Sequence, residues 1–263
     1  MRVVRPVLSI ALCLLLALSF SWHSPLAQNR PPLATHTAAG PSPSEKQLFD
    51  AANRERAAED LPALVWDPAL ASAARKHVLR MSEEKFLDHR YPGEESLEER
   101  AARAGARFSL LAENIAVAED AVAVHMSWMH SPGHRGNILD PKLTSIGIAT
   151  VERRGYLFAA QDFSRAVEEL TIDEQEARVA ALFAAAGFKT VTGSEDARKT
   201  CLMDSGRVGK PGVYYRFETA DLSKLPEPIA ARLKTVEART TAVGACPAKT
   251  TGFTRYRIAV LFF

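Results

Sequence analysis

The sequence predicts an α+β fold, a group of helices followed by a β-hairpin, and two observations lead to it. Capped, alanine-rich runs at helical spacing fill much of the stretch from Ser44 to Gly105. Beyond them, Ser145 to Glu152 and Tyr156 to Phe163 alternate as strands do, with Arg153-Arg154-Gly155 as the turn between them. A parallel α/β sheet would need strands between the helices, and the pattern offers none there.

Taken in order, Met1 to Ala27 carries Arg2 and Arg5, an almost wholly apolar run from Val7 to Phe20, and Pro25-Leu26-Ala27 before Gln28. That order of charge, apolar core and small residue is a secretory signal, and the core is too short to favour a permanent span. The expected location is therefore secreted or periplasmic, with a retained signal anchor as the alternative because Pro25 sits close to the cleavage point. Removing 1–27 takes two arginines and no acid, so 33 basic residues become 31 against 31 acidic ones. A near-neutral mature chain gives no surplus for nucleic acid, and no later segment is apolar and long enough for a transmembrane span. Residues 28–43, rich in Pro, Ala and Thr, read as a disordered linker.

Ser44-Glu45-Lys46-Gln47 has capping-box spacing and opens the first helix. Leu61 to Trp66 reads as an apolar connector, after which Asp67-Pro68 starts a second helix with Asp as N-cap and Pro in the first turn. On its inner face His77 is expected as a packed core histidine. Ser96 to Glu99 is another capping box, opening a short helix closed by Gly105. Leu110 to Ala118 is fit for burial except at Ala112-Glu113-Asn114, and a buried carboxylate needs partners or a task.

Chemistry concentrates in Trp128-Met129-His130-Ser131-Pro132-Gly133-His134-Arg135-Gly136-Asn137-Ile138-Leu139. Ser131-Pro132-Gly133 ends the preceding helix, so His130 and His134 do not share one continuous helix face and a local two-histidine zinc site fails. Any partner of His134 comes from elsewhere in the chain. Arg135 is expected either to bind an anionic group or to pair with an acid such as Asp140.

These residues resemble the CAP superfamily (cysteine-rich secretory proteins, antigen 5, pathogenesis-related 1) in its bacterial SCP-like form. The resemblance runs from Leu48 to Phe163 through Asn53-x-x-Arg56, Leu61-x-x-Leu64-x-Trp66-Asp67, Phe86-x-x-His89, Glu99-Arg100, Ala112-Glu113-Asn114-Ile115-Ala116, Ser131-Pro132-Gly133-His134-Arg135-x-Asn137-Ile138-Leu139, Ile146-Gly147-Ile148-Ala149 and Gln161-Asp162-Phe163. It implies a three-layer α-β-α sandwich over 44–165, with a cleft lined by two histidines and two acids. Carried over by position, these are His89, His134 and Glu113, while Ser131 stands where the family usually has its second acid. In some relatives such a set holds a divalent metal, so His89 and His134 are the candidate metal ligands. Losing one carboxylate weakens the case for a cation such as Zn²⁺, unless water or an acid such as Asp88 fills the gap.

Two function classes follow. In one, His89, Glu113, Ser131, His134 and Arg135 line a cleft that binds a small apolar or envelope-derived ligand and requires no cofactor. In the other, a metal-assisted hydrolase acts on a peptide or cell-wall substrate with Glu113 as base. No G-x-S-x-G and no unpaired thiol supplies a nucleophile, and the missing acid favours the binding module. For Glu113 the plainer role is to brace His134 or cap nearby backbone.

Residues 166–263 read as a smaller α+β module: a helix to Ala186 closed by Gly187, a strand at 188–191, a loop, a strand at 213–217, a short helix through Pro228 to Leu233 and a last strand at 255–263. Cys201 and Cys246 are the only thiols left after signal removal, and in an exported chain a disulfide is expected. Closing that loop should stabilise the module by about 4 kcal/mol through chain entropy.

Overall fold

The structure is a computed structural model that describes residues 40–249 and 252–263. The signal reading of 1–27 and most of the linker reading lie outside the described residues.

Helix α1 (Pro43–Ala58) starts earlier than the sequence suggests, because Ser42 rather than Ser44 is the N-cap and Glu45 rather than Gln47 completes the capping box. Pro43 at the first helical position loses no hydrogen bond there. Glu45 does more than cap: its Oε1 accepts from the Thr150 backbone N–H at 3.0 Å and pairs with Arg75, anchoring the helix start to the sheet. At the other end Arg56, 1% exposed, donates to the carbonyls of Pro62, Ile138, Asp140 and Leu143 at 2.8 to 3.2 Å. One guanidinium thus satisfies four backbone groups that the surrounding loops would otherwise bury unpaired.

The segment read as a connector contains a two-residue strand, β1 (Val65–Trp66), and Asp67 caps α2 (Pro68–Met81) as expected. After α3 (Leu97–Arg103), residues Phe108–Ala118 form strand β2. The sequence shows no clean alternation there, because both faces of the strand are covered and apolar residues fill both. Helices α4 (Ala121–His130) and α5 (Pro132–Ile138) meet at Ser131, whose extended backbone (φ −96°, ψ 119°) makes the break that Pro132 demands. Strands β3 (Ser145–Arg153) and β4 (Tyr156–Ala166) are the predicted hairpin.

The sheet order is β1-β3-β4-β2, with only the β1–β3 pair parallel. Leu48, Val124, Trp128 and Ile138 of α1, α4 and α5 pack with Ile146, Ile148, Ala159 and Phe163 on one face. On the other face α2 brings Ala74, Val78 and Met81 against Ile115, Ala149 and Ala160. This is the three-layer α-β-α sandwich. Its tightest contact is at Gly147, where a Cβ would overlap the backbone of Leu70 and Ala71, so α2 rests directly on β3.

The C-terminal residues form a second sheet, order β5-β7-β8-β6, from β5 (Lys189–Val191), β6 (Val213–Thr219), β7 (Thr240–Cys246) and β8 (Tyr256–Phe262). Helices α6 (Ile172–Ala185), α7 (Glu195–Leu202) and α8 (Glu227–Arg232) accompany it. Two of these elements depart from the sequence reading. Helix α7 lies where a loop was expected, since its polar outer face hides the inner residues Ala197, Thr200 and Cys201. Strand β7 was missed because Thr-Thr-Ala-Val-Gly-Ala-Cys is small throughout and fully enclosed. Gly244 allows α7 to sit on β7 as Gly147 allows α2 to sit on β3, and Cys201 and Cys246 form a disulfide beside that contact.

The two sheets belong to one compact unit spanning Gly40–Phe263. Thr254 N–H donates to the Phe108 carbonyl at 2.7 Å, Thr254 Oγ1 accepts from Phe108 N–H at 3.2 Å, and the Phe253 ring meets the Phe108 ring edge-on at 5.3 Å. Among the described residues no helix is long and apolar enough to cross a membrane.

Gly147→Ala should lower unfolding stability by about 3 kcal/mol, the upper range for overpacking a core. Gly136→Ala should leave stability unchanged or raise it by up to about 1 kcal/mol, since open space surrounds that helical glycine. Thermal denaturation of both variants checks the pair.

Candidate functional site

Strand β2 is an edge of the first sheet, bonded on one side to β4 only. Its alternation sends Glu113 to the face covered by α2 and α3 and Asn114 to the face covered by α4 and α5. Helix α5 lies beside the open edge and supplies what a missing strand would: Asn137 Nδ2 donates to the Glu113 carbonyl at 3.2 Å and to Asn114 Oδ1 at 2.8 Å. Asn114 Nδ2 in turn donates to the His134 carbonyl at 3.1 Å, fixing the turn of α5 that carries His134.

Glu113 is buried, and its two oxygens are divided between partners. Oε1 meets His89 Nδ1 at 2.8 Å, and Oε2 pairs with the buried guanidinium of Arg100 from α3. Glu113 therefore braces His89 and Arg100, and His134 is not among its partners, contrary to the plainer sequence reading. His89 itself stands in the loop after α2 with its side chain 58% exposed, and Nδ1 is the engaged nitrogen, which leaves Nε2 free.

Burial would raise the Glu113 carboxyl, but the His89 hydrogen bond and the Arg100 charge outweigh it and hold it below the usual carboxylate range. The same hydrogen bond to Glu113 raises His89 above an ordinary histidine despite partial burial. His134 moves the other way, lowered first by burial and then by the charge of His89, which places the two imidazoles within electrostatic reach of each other. Its Nδ1 is buried without a hydrogen-bond partner.

A further acid completes the floor, and the sequence reading passed over it. Asp162 on β4 lies directly across from Glu113 in the strand register and is fully buried. Neither oxygen has a hydrogen-bond donor, since the group beside it is another carboxylate. The contact becomes a hydrogen bond only when one of the two carries a proton. Burial and the Glu113 charge put that proton on Asp162, whose pKa lies well above the usual range. The available signal was an acid in the middle of an otherwise apolar strand. Beside this pair Glu94 Oε1 meets His77 Nδ1 at 2.8 Å and lies 3.9 Å from Arg100, so His77 is a buried histidine that is also part of the polar network.

Other predicted site residues sit at the margin. Ser131, half-buried, marks the break between α4 and α5 and makes no side-chain capping bond. Arg135 pairs with Glu59 at 2.9 Å rather than with Asp140, because α5 runs beside the end of α1. The Asp140 carbonyl is held by Arg56 instead.

The donor chemistry does not fit a resident metal. Glu113 has given both oxygens to His89 and Arg100, Ser131 offers a hydroxyl where an acid would stand, and two imidazoles fall short of the three protein ligands of a catalytic zinc site. Among the described residues no three His, Cys, Asp or Glu side chains converge in a metal-holding arrangement.

An α-β-α sandwich whose edge strand presents a glutamate to an exposed histidine, with a second histidine arriving on a short helix, defines a recognisable class. Residues 49–163 match the cysteine-rich secretory protein family, CAP, so the match covers this sandwich and not the C-terminal residues. It is 31% identical over 130 residues to the protein YkwD of Bacillus subtilis and 33% identical over 114 residues to the membrane protein YlbC of the same organism, covering 49% and 43% of this chain. The matched stretches span 51% and 33% of those two proteins. Among solved structures, an extracellular SCP-domain protein of Bacillus anthracis is similar at 32% identity and TM-score 0.44, covering 48% of this chain and 45% of that one. An outer surface protein of Borrelia burgdorferi matches at 19% identity and TM-score 0.44, covering 47% and 92%.

Arg100→Met should destabilise the protein by about 3 to 5 kcal/mol by stranding Glu113, whereas Arg100→Met with Glu113→Gln should recover a large part of that loss. Denaturant unfolding of both variants measures it. By NMR titration His89 should protonate above, and His134 below, the ordinary histidine value of about 6.5. Because its folded pKa is raised, the stability His89 contributes is fully present below about pH 6.5 and is lost as pH rises through the folded value, and Glu113→Gln should abolish that dependence.

Proposed function

We propose that this chain is an exported binding protein whose His89 and His134 imidazoles take the polar end of a small amphipathic, envelope-derived ligand. The carrying observation is the division of Glu113 between His89 Nδ1 and Arg100, which orients a raised-pKa imidazole with a free Nε2 toward solvent. With Nδ1–H given to Glu113, Nε2 donates to a carboxylate, phosphate or carbonyl oxygen when the imidazole is protonated, the state that the raised pKa favours.

An apolar seat lies on the same side. Met81, Phe86, Leu87, Val117, Tyr156 and Phe158 line a hollow of about 260 Å³ with Glu84 and Lys85 at its wall, and in it Phe86 is 60% and Tyr156 53% exposed. Val117 follows Glu113 by four residues along β2 on the same face, a distance of about 13 Å. That separation suits a ligand with a polar head and a short apolar body.

The hydrolase alternative is weaker because of the state of Glu113. A carboxylate held below its usual range by a guanidinium and an imidazole is a poor general base near neutral pH. Native mass spectrometry of protein purified from its natural host should show a carried small molecule, reduced several-fold in a His89→Ala, Phe86→Ser variant. Steady turnover of a peptide or cell-wall substrate, lost in Glu113→Gln, would replace this reading with the hydrolase.

A further inference from the structure

A cleft of about 470 Å³ opens where residues of the first sheet and its loops meet the C-terminal residues, and neither His89 nor His134 lines it. Four cations line it: Lys142 and Arg165 from the first domain, Lys224 and Arg255 from the second. The one acid in its wall is Asp221, and its carboxylate is already occupied by the Ser223 N–H at 2.8 Å. No salt bridge ties any of the four cations to an acid among the described residues. The concentration is unusual in this chain, whose formal net charge is only +2.

The backbone beneath two of the four is also anchored. The bonds between Thr254 and Phe108 fix the backbone next to Arg255, and Arg165 follows in register on the strand paired with β2, where Leu110 faces it. The backbone carrying the two arginines is thereby fixed at the wall of one concavity, while the four exposed side chains stay able to adjust to a ligand.

We propose that this cleft binds a ligand carrying two or more phosphate groups, on a soluble chain or on lipid headgroups. Four cations against one committed carboxylate leave about three positive charges to neutralise. A single carboxylate would leave most of them uncompensated, whereas a di- or triphosphate matches them. Arginine forks suit phosphate oxygens in paired hydrogen bonds, and the lysines add unoriented charge.

Isothermal titration of the full chain with sodium tripolyphosphate at low salt tests this, beside flotation with phosphatidylcholine vesicles with and without phosphatidylglycerol. Saturable binding to either probe is expected, weakening as salt rises. Arg165→Gln and Lys224→Gln should each weaken it about tenfold, the scale of one lost charge-assisted hydrogen bond. The charge-matched controls Lys210→Gln and Lys234→Gln, each made singly, should bind like the parent. Binding to tripolyphosphate alone assigns a soluble ligand, and to the charged vesicles alone a lipid headgroup. No binding to either, equal loss in the controls, or tight binding confined to single-stranded DNA would overturn the proposal.

Discussion

The seating of α2 on the bare backbone of Gly147 is the contact on which the polar floor of the first domain depends. Gly147 is opposite Asp162 in the β3–β4 register, and Asp162 is opposite Glu113 in the next. By coming this close, the helix excludes water from Asp162. A dry Asp162 keeps its proton, and a protonated Asp162 can sit beside an ionised Glu113 without repulsion. Glu113 is then free to pair with Arg100 and His89. A steric fact about one glycine is thus connected, through two carboxyls, to the ionisation of an exposed imidazole.

Much of this was legible in the residues. Caps at Asp67 and Ser96, the turn at Arg153-Arg154-Gly155 and the pair Cys201 and Cys246 each carry a local chemical signature that tertiary context did not override. What escaped was enclosed structure. Strands β2 and β7 are covered on both faces and therefore lose the alternation that betrays a half-buried strand, while β1 is too short to show any period. Helix α1 shows a subtler failure, for Ser42 and Ser44 offer the same capping spacing and the choice between them rests on Glu45 reaching Thr150.

The site divides in the same way. His89, Glu113 and His134 were found through a resemblance, but their pairing was not, because which imidazole meets the glutamate is decided by loops rather than by spacing. Asp162 was present in the quoted motif and still overlooked. An acid inside a strand announces itself only once its cross-strand neighbour is known, and that neighbour is almost fifty positions away in the chain. Arg100, read as part of a helix, proves to be the counter-ion that fixes the protonation pattern.

The clasp between Phe108 and the segment Phe253-Thr254 makes the second half more than an appended bead. Phe108 begins the strand that carries Glu113, so the C-terminal module grips the histidine-bearing domain at the root of its exposed edge. Recombining either half with a foreign neighbour would leave that root unpaired and apolar. A truncation that ends at the first sheet would therefore expose the Phe108 ring and leave its backbone N–H and carbonyl without these partners.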